Sequence, residues 1–411
     1  MEDPMKRSPI TSLAVAAGAA AATLAGTAGP AEAAAVRAVD LGAVTANAVN
    51  DHGVVVGKDA YNSYGLAARW DSTGKRTGLG TLPGYSHSDA NDVSDRGVVV
   101  GTAFEVGSGS EVLRQNAVRW DRTGRISRLD AVPGRPVSTA VAVNDSGVAI
   151  GEAGTTTGPD THVHAVRWEP SGKAVNLGSL PGYEHSAPFA INNRGVIAGV
   201  AYTPGPDRQN VWRAVRWDAH GRITELPTLP GDDQSTAAYV NDAGTIVGDS
   251  YSAGARHPVT WDVAGNITRL GLPAGVTGAY ATGIDAQGNV AGTATTGVGG
   301  GERAVRWDRA GRVTELGGLP GGGWSTSGRI NDHATVVGTA TVQGGAYLHA
   351  VLWDRRGRIV DLGTLPGGGP NSSAWEINDR GLVVGRAQAA DGEFHVVLWS
   401  LRNAPAADGD A

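Results

Sequence analysis

One short pattern recurs eight times along the chain, and it limits the fold more than any other feature. A tryptophan ends an Ala-Val-rich run at Trp70, Trp120, Trp168, Trp217, Trp261, Trp307, Trp353 and Trp399, spaced 44 to 50 residues apart. An Asn-Asp-x-Gly-type turn precedes each one, starting at Asn50, Ser94, Asn144, Asn192, Asn241, Asp285, Asn331 and Asn378. A Leu-Gly-type run, often ending in Pro-Gly, opens the chain at Leu41. It then follows the first seven tryptophans at Leu79, Leu129, Leu177, Leu226, Leu270, Leu316 and Leu362. Self-similarity at this period marks a repeat architecture.

Each repeat reads as strands. In the unit from Ser138 to Gly182, "STAVAV", "VAIGEA", "HAVRW" and "KAVNLGSL" are separated by turn residues. No segment holds a 3.6-residue period long enough for a helix. The turns have a mechanism: Asn or Asp at the first position accepts hydrogen bonds, and Gly three residues later takes a left-handed conformation. A second set, Asp121 to Gly124 and its equivalents, has the same form. The expected unit is four antiparallel strands, A to D, and the expected fold is all-β: a propeller of eight four-stranded blades. A parallel β-helix would need shorter rungs.

The order of the pieces predicts how the propeller closes. The chain opens with a lone D-type strand, "VRAVDLG" (Val36–Gly42), and ends on a C-type strand, "HVVLWS" (His395–Ser400). The opening strand then completes the last blade and removes an exposed sheet edge. Joining ends ~360 residues apart costs roughly 5 kcal/mol. About five ladder hydrogen bonds at ~1 kcal/mol each, with apolar burial, offset that cost.

Composition narrows the function. Glycine, at 62 residues with no strict three-residue period, fits a turn-rich chain. The net charge of −6 is spread without a basic patch, which argues against nucleic acid as a partner. With no cysteine, disulfides, thiol catalysis and cysteine-ligated metals are excluded. The N-terminus reads as an export signal. Lys6 and Arg7 precede an uncharged run from Ile10 to Gly26, and Ala31-Glu32-Ala33 supplies a small-x-small cleavage pattern. The expectation is a secreted monomer without a membrane span: residues 1–33 as signal, cleaved after Ala33, 34–401 as one propeller domain, and 402–411 as a disordered tail.

These units resemble the HAF repeats of bacterial extracellular proteins, named for a His-Ala-Phe run before the strand-ending Trp. The chain has "HAVRW" at His164–Trp168 and "HAVLW" at His349–Trp353, with Val in place of Phe. The resemblance covers nearly all of the mature chain and implies a secreted β-rich repeat protein, with no reaction or ligand attached.

The repeat tryptophans are expected in the core, since a large ring at one fixed place per blade packs between neighbours, burying some 200 Å2. The arginine before Trp (Arg69, Arg119, Arg167, Arg216, Arg306) is expected to be solvated or to contact the next blade. The Asn-Asp-x-Gly turns offer too few alternating oxygens for a calcium loop. His162 and His164 are the only tight histidine pair, a weak metal signal without a carboxylate beside them. No cofactor is expected, and no catalytic motif occurs. A hydrolase or lyase reading would need a carboxylate pair; Asp89, Asp92, Asp233 and Glu376, on strand A or its loops, are the candidates.

The site is expected on the rim carrying the B–C and D–A loops, whose lengths vary. Gly101 to Trp120 is 19 residues, and Gly248 to Trp261 is 13. Specific sites are commonly built on variable loops over a rigid scaffold. Aromatics outside the repeat pattern fall on this rim: Tyr61, Tyr64, Tyr202 and Trp212 at B–C loops, and Tyr85, Tyr183, Trp324 and Trp375 at D–A loops or the start of strand A. They suit a glycan or an extracellular protein, through stacking and a few hydrogen bonds, or else they pin long loops. The expected function is a non-enzymatic binding propeller; a structural surface protein is the further alternative.

Overall fold

The computed structural model describes residues 36–401 apart from 61–63, 110, 156–161, 205–209, 253–254 and 297–300. The export segment, the tail and Tyr61 lie outside the described residues. The chain is an eight-bladed β-propeller, each blade a four-stranded antiparallel sheet. Blade 1 is Thr45–Val49, Val55–Lys58, Ala67–Trp70 and Arg76–Gly78. Blade 2 is His87–Val93, Val99–Val106, Val112–Trp120 and Ile126–Arg128. Blade 3 is Val137–Val143, Ala149–Gly154, Val163–Trp168 and Ala174–Gly178, and blade 4 is His185–Ile191, Ile197–Pro204, Asn210–Trp217 and Ile223–Glu225. In the last blade Ser372–Ile377, Val383–Gln388 and Phe394–Leu401 are completed by Val36–Gly42. Ala38 pairs with Trp399 and Asp40 with Val397 in that closing ladder. The strands form two compact units: blades 1 to 5 in one, and blades 6 to 8 with the opening strand in the other.

The turns form as their residues dictate, and they also do more. Asn50 Oδ1 accepts the N–H groups of His52 and Val54 at 3.1 and 2.9 Å, while Gly53 sits at φ +75°. Asn50 Nδ2 donates to the Ser94 carbonyl of the next blade at 2.9 Å, and Asn144 and Asn192 repeat that contact. The Asp of the motif adds a second rung. Asp51 N–H donates to Asp95 Oδ1, Asp95 to Asp145, Asp145 to Asn193, and Asn193 to Asp242. In the second unit Ala286 N–H donates to Asp332, and Asp332 to Asp379. So the turn residues are also blade-to-blade connectors.

Every A strand carries an irregularity in its pairing with B, as between Ala140 and Ala142. A bulge brings the backbones close. A Cβ at Gly151 on strand B would lie 2.0 Å from the Thr139 carbonyl oxygen, which is why a glycine recurs there.

The repeat tryptophans are all buried below 2% exposure. Six of them join the D-strand leucine of the preceding blade, as in the cluster of Trp168 with Leu129, Val166 and Ala140. Five also donate Nε1–H to a preceding-blade carbonyl, for example Trp120 to Leu79 at 2.8 Å. A buried A-strand serine locks the same seam. Ser186 Oγ accepts the Ala165 N–H at 2.9 Å and donates to the Gly178 carbonyl at 2.5 Å. Small residues in strand A therefore serve the blade interface. The arginine before Trp contacts the next blade: Arg119 donates to the carbonyls of Gly147, Glu169 and Pro170.

The histidine four residues before Trp has a repeated partner as well. His349 meets Asp361 at 2.8 Å, His164 meets Asn176 at 3.2 Å, and His395 meets Asp40 at 2.9 Å. Each partner is the polar residue just before the Leu-Gly of strand D. Arg213–Glu225 and Arg303–Glu315 take the same places with reversed bulk. His395–Asp40 shows the closing strand doing a D strand's work across the chain ends.

Candidate functional site

The described off-pattern aromatics divide into those that hold loops and those that stack. Tyr85 packs on the core with Leu79 and Trp120, donates its hydroxyl to Asn116, and lies under the Arg114 guanidinium. Tyr183 packs beside Leu177 and Trp217. Trp324 is half-buried, with its backbone bonded to Thr341. Trp375 is half-buried, and its backbone lies against Gly328. None of these four joins a ring stack among the described residues.

Tyr202 and Trp212 do join one. Four rings form a continuous column: His162 over His185 at 5.5 Å, His185 over Tyr202 at 4.8 Å, and Tyr202 over Trp212 at 4.6 Å. Register explains it. His185 opens strand A of blade 4 and pairs with Tyr202 on B, which pairs with Trp212 on C. His162 arrives from blade 3, just before its C strand. The Trp212 N–H donates at 3.3 Å to Oε1 of Gln234, which opens strand A of the next blade (Gln234–Val240).

The same positions two blades earlier hold a shorter stack. Tyr64 lies 5.1 Å from His87, and His87 lies 5.3 Å from Phe104, its cross-strand partner. Tyr64 is 49% exposed. This stack stops at Phe104, because Gln115 stands where blade 4 has Trp212.

Charge separates the two. Next to the first stack, Lys58 meets Asp89 at 3.3 Å, and Asn47 donates to the same carboxylate at 3.0 Å. Next to the column, the residue equivalent to Lys58 is Glu152 and that equivalent to Asp89 is Ala187. Glu152 lies deep among protein atoms while staying partly open to solvent. Desolvation pushes its carboxyl up to about 7. Burial, then the Glu152 charge, pushes the Tyr202 hydroxyl up. Desolvation lowers both His87 and His185, so each ring is neutral at neutral pH.

Three of the four carboxylates expected for catalysis are engaged elsewhere. Asp89 has its lysine, Asp92 accepts the backbone N–H groups of Val93 and Val143, and Glu376 meets Arg329 at 3.5 Å. The Asp233 carbonyl holds the Arg213 guanidinium. His162 and His164 have different partners: His164 meets Asn176, and His162 stacks on His185 with Glu184 near both. Sequence reading missed His185, Glu184 and Glu152. The available signal was His87 and His185 at one offset, each seven residues before its A–B turn.

Comparison with known proteins places the fold and no more. No family model matches the sequence, and no curated protein does. Among solved structures, the chain is similar to dipeptidyl peptidase 4 of Porphyromonas gingivalis, with TM-score 0.55 and 11% identity over 88% of this chain and 58% of that one. A streptogramin B lyase structure aligns over 89% of this chain and 98% of that one, with 13% identity and TM-score 0.42. TolB of Acinetobacter baumannii aligns over 74% and 80%, with 14% identity and TM-score 0.36. At such identities the likeness concerns the propeller fold alone.

Proposed function

We propose that this protein is a secreted, monomeric binding propeller of the HAF-repeat type that takes a glycan or an extracellular protein on its B–C/D–A rim. The observation that carries this reading is the column His162–His185–Tyr202–Trp212. Four rings from two blades are stacked at positions the repeat does not require, and such rings offer faces for stacking with polar edges for hydrogen bonds. The resemblance to HAF repeats and the export-type N-terminus support secretion. The test is a binding screen of the mature chain, Ala34 to Ala411, against glycan arrays and bacterial envelope fractions. Trp212→Ala is expected to lose a saturable ligand with an unchanged melting temperature. A lowered melting temperature and intact binding would assign the column to packing.

The hydrolase or lyase reading has one observation in its favour. Burial raises the Glu152 carboxyl to about 7, the range a general acid needs near neutral pH. Polysaccharide turnover abolished by Glu152→Gln would replace binding with catalysis as the function.

A further inference from the structure

From the contacts around His185 we propose that the histidine end of the column is a site for a divalent transition-metal ion, of which zinc is the best match, held by His162, Glu184 and His185. The reading does not rest on the proposed organic ligand. One potential ligand atom from each residue falls within a set whose members all lie within 4.8 Å of one another. Glu184 Oε2 stands 4.0 Å from His162 Nδ1 and 3.9 Å from His185 Nε2. Two imidazoles and one carboxylate are a zinc donor set that leaves a coordination position open for water or a ligand atom. Ligand atoms around tetrahedral zinc lie about 3.3 Å apart, given bonds of about 2.0–2.1 Å. The separations must therefore shrink, and the exposed His162 and Glu184 side chains can swing in toward the more buried His185.

The equivalent stack shows that these donors are not demanded by the repeat. Tyr64 stands where blade 3 has His162, and Ser86 where blade 4 has Glu184. Ser86 Oγ bonds His87 Nδ1 at 2.6 Å. One stack thus has a single imidazole tied to a hydroxyl, and the other has three convergent donors.

Two contacts oppose the ion and set the affinity. His185 Nδ1 accepts the Val163 N–H at 3.1 Å, so ligation at Nε2 takes the other tautomer and gives up that bond. This is an expense of roughly tenfold in affinity. Arg135 brings a positive charge near His185, with one of its guanidinium nitrogens donating to the His162 carbonyl.

The experiment is calorimetric titration of the metal-stripped mature protein with zinc chloride, backed by visible absorption with cobalt(II). One zinc per chain is expected, with a four- or five-coordinate cobalt spectrum. His162→Ala and Glu184→Gln should each weaken binding at least tenfold, while His87→Ala leaves it unchanged. Trp212→Ala should keep the metal even where it loses an organic ligand, so the two readings fail separately. No binding, equal loss in His87→Ala, or wild-type affinity in both His162→Ala and Glu184→Gln would overturn the site.

Discussion

The stack of blades 1 and 2 and the column of blades 3 and 4 use the same backbone positions and reach different chemistry. In the first, Tyr64, His87 and Phe104 lie beside the Lys58–Asp89 ion pair. In the second, His162, His185, Tyr202 and Trp212 lie beside a carboxyl whose equivalent partner position is Ala187. Repetition fixes where the side chains point, so a few substitutions can convert a closed, charge-balanced stack into one that lies beside a carboxyl without that lysine. A regular scaffold separates the positions that keep the blade together from those left open for function.

Removing charge from each side should break the comparison in opposite directions. Lys58→Met strands the Asp89 carboxylate and is expected to destabilise by about 3 kcal/mol, read by denaturant unfolding at pH 7. Glu152→Gln should instead stabilise. The Glu152 pKa is raised from its ordinary value near 4.5 to about 7. Its favourable contribution is therefore present below about pH 4.5 and lost as pH rises through 7. The Gln variant should gain on the order of 3 kcal/mol over wild type at pH 8, and nothing at pH 4. A flat difference across that range would mean Glu152 is not held in its protonated form.

Transplanting the donors sharpens the comparison. Tyr64→His with Ser86→Glu should give the first stack a second zinc site, measured as a change from one to two equivalents. Retention of one equivalent would mean the repeat geometry alone does not place the donors.

The closing strand offers a smaller test. His395 bonds both carboxylate oxygens of Asp40 and lies 3.2 Å from Asp391, and the Asp40 bond leads in raising its pKa. The stability from this contact is complete below pH 6.5 and declines as pH rises through the raised native value. His395→Ala should lower the melting temperature at pH 5.5 more than at pH 9. The smallest effect belongs to the one A–B turn that lacks its glycine. Ala334 stands there at φ +56°, and Ala334→Gly should stabilise by about 1 kcal/mol, read as a higher unfolding midpoint.

Much of this was legible in the sequence for one reason: eight copies of a pattern average away local ambiguity. The Trp, Leu and Asn-x-x-Gly positions determined the strands, turns, blade number and closing strand, because each has a short-range cause that any copy reports. The engagement of the Asp of each turn and of the histidine of the HAF-like run with neighbouring strands was not legible. Those partners lie up to 355 residues apart in the chain. The site was hidden for the same reason. His162 and His185 are 23 positions apart, on different blades, and only the packing of one blade's C strand against the next blade's A strand stacks their rings. Sequence alone determined what each blade is. Tertiary structure decided which blades carry chemistry, because donors, charges and ring faces act through space, and the distances that govern them exist only once the blades have docked.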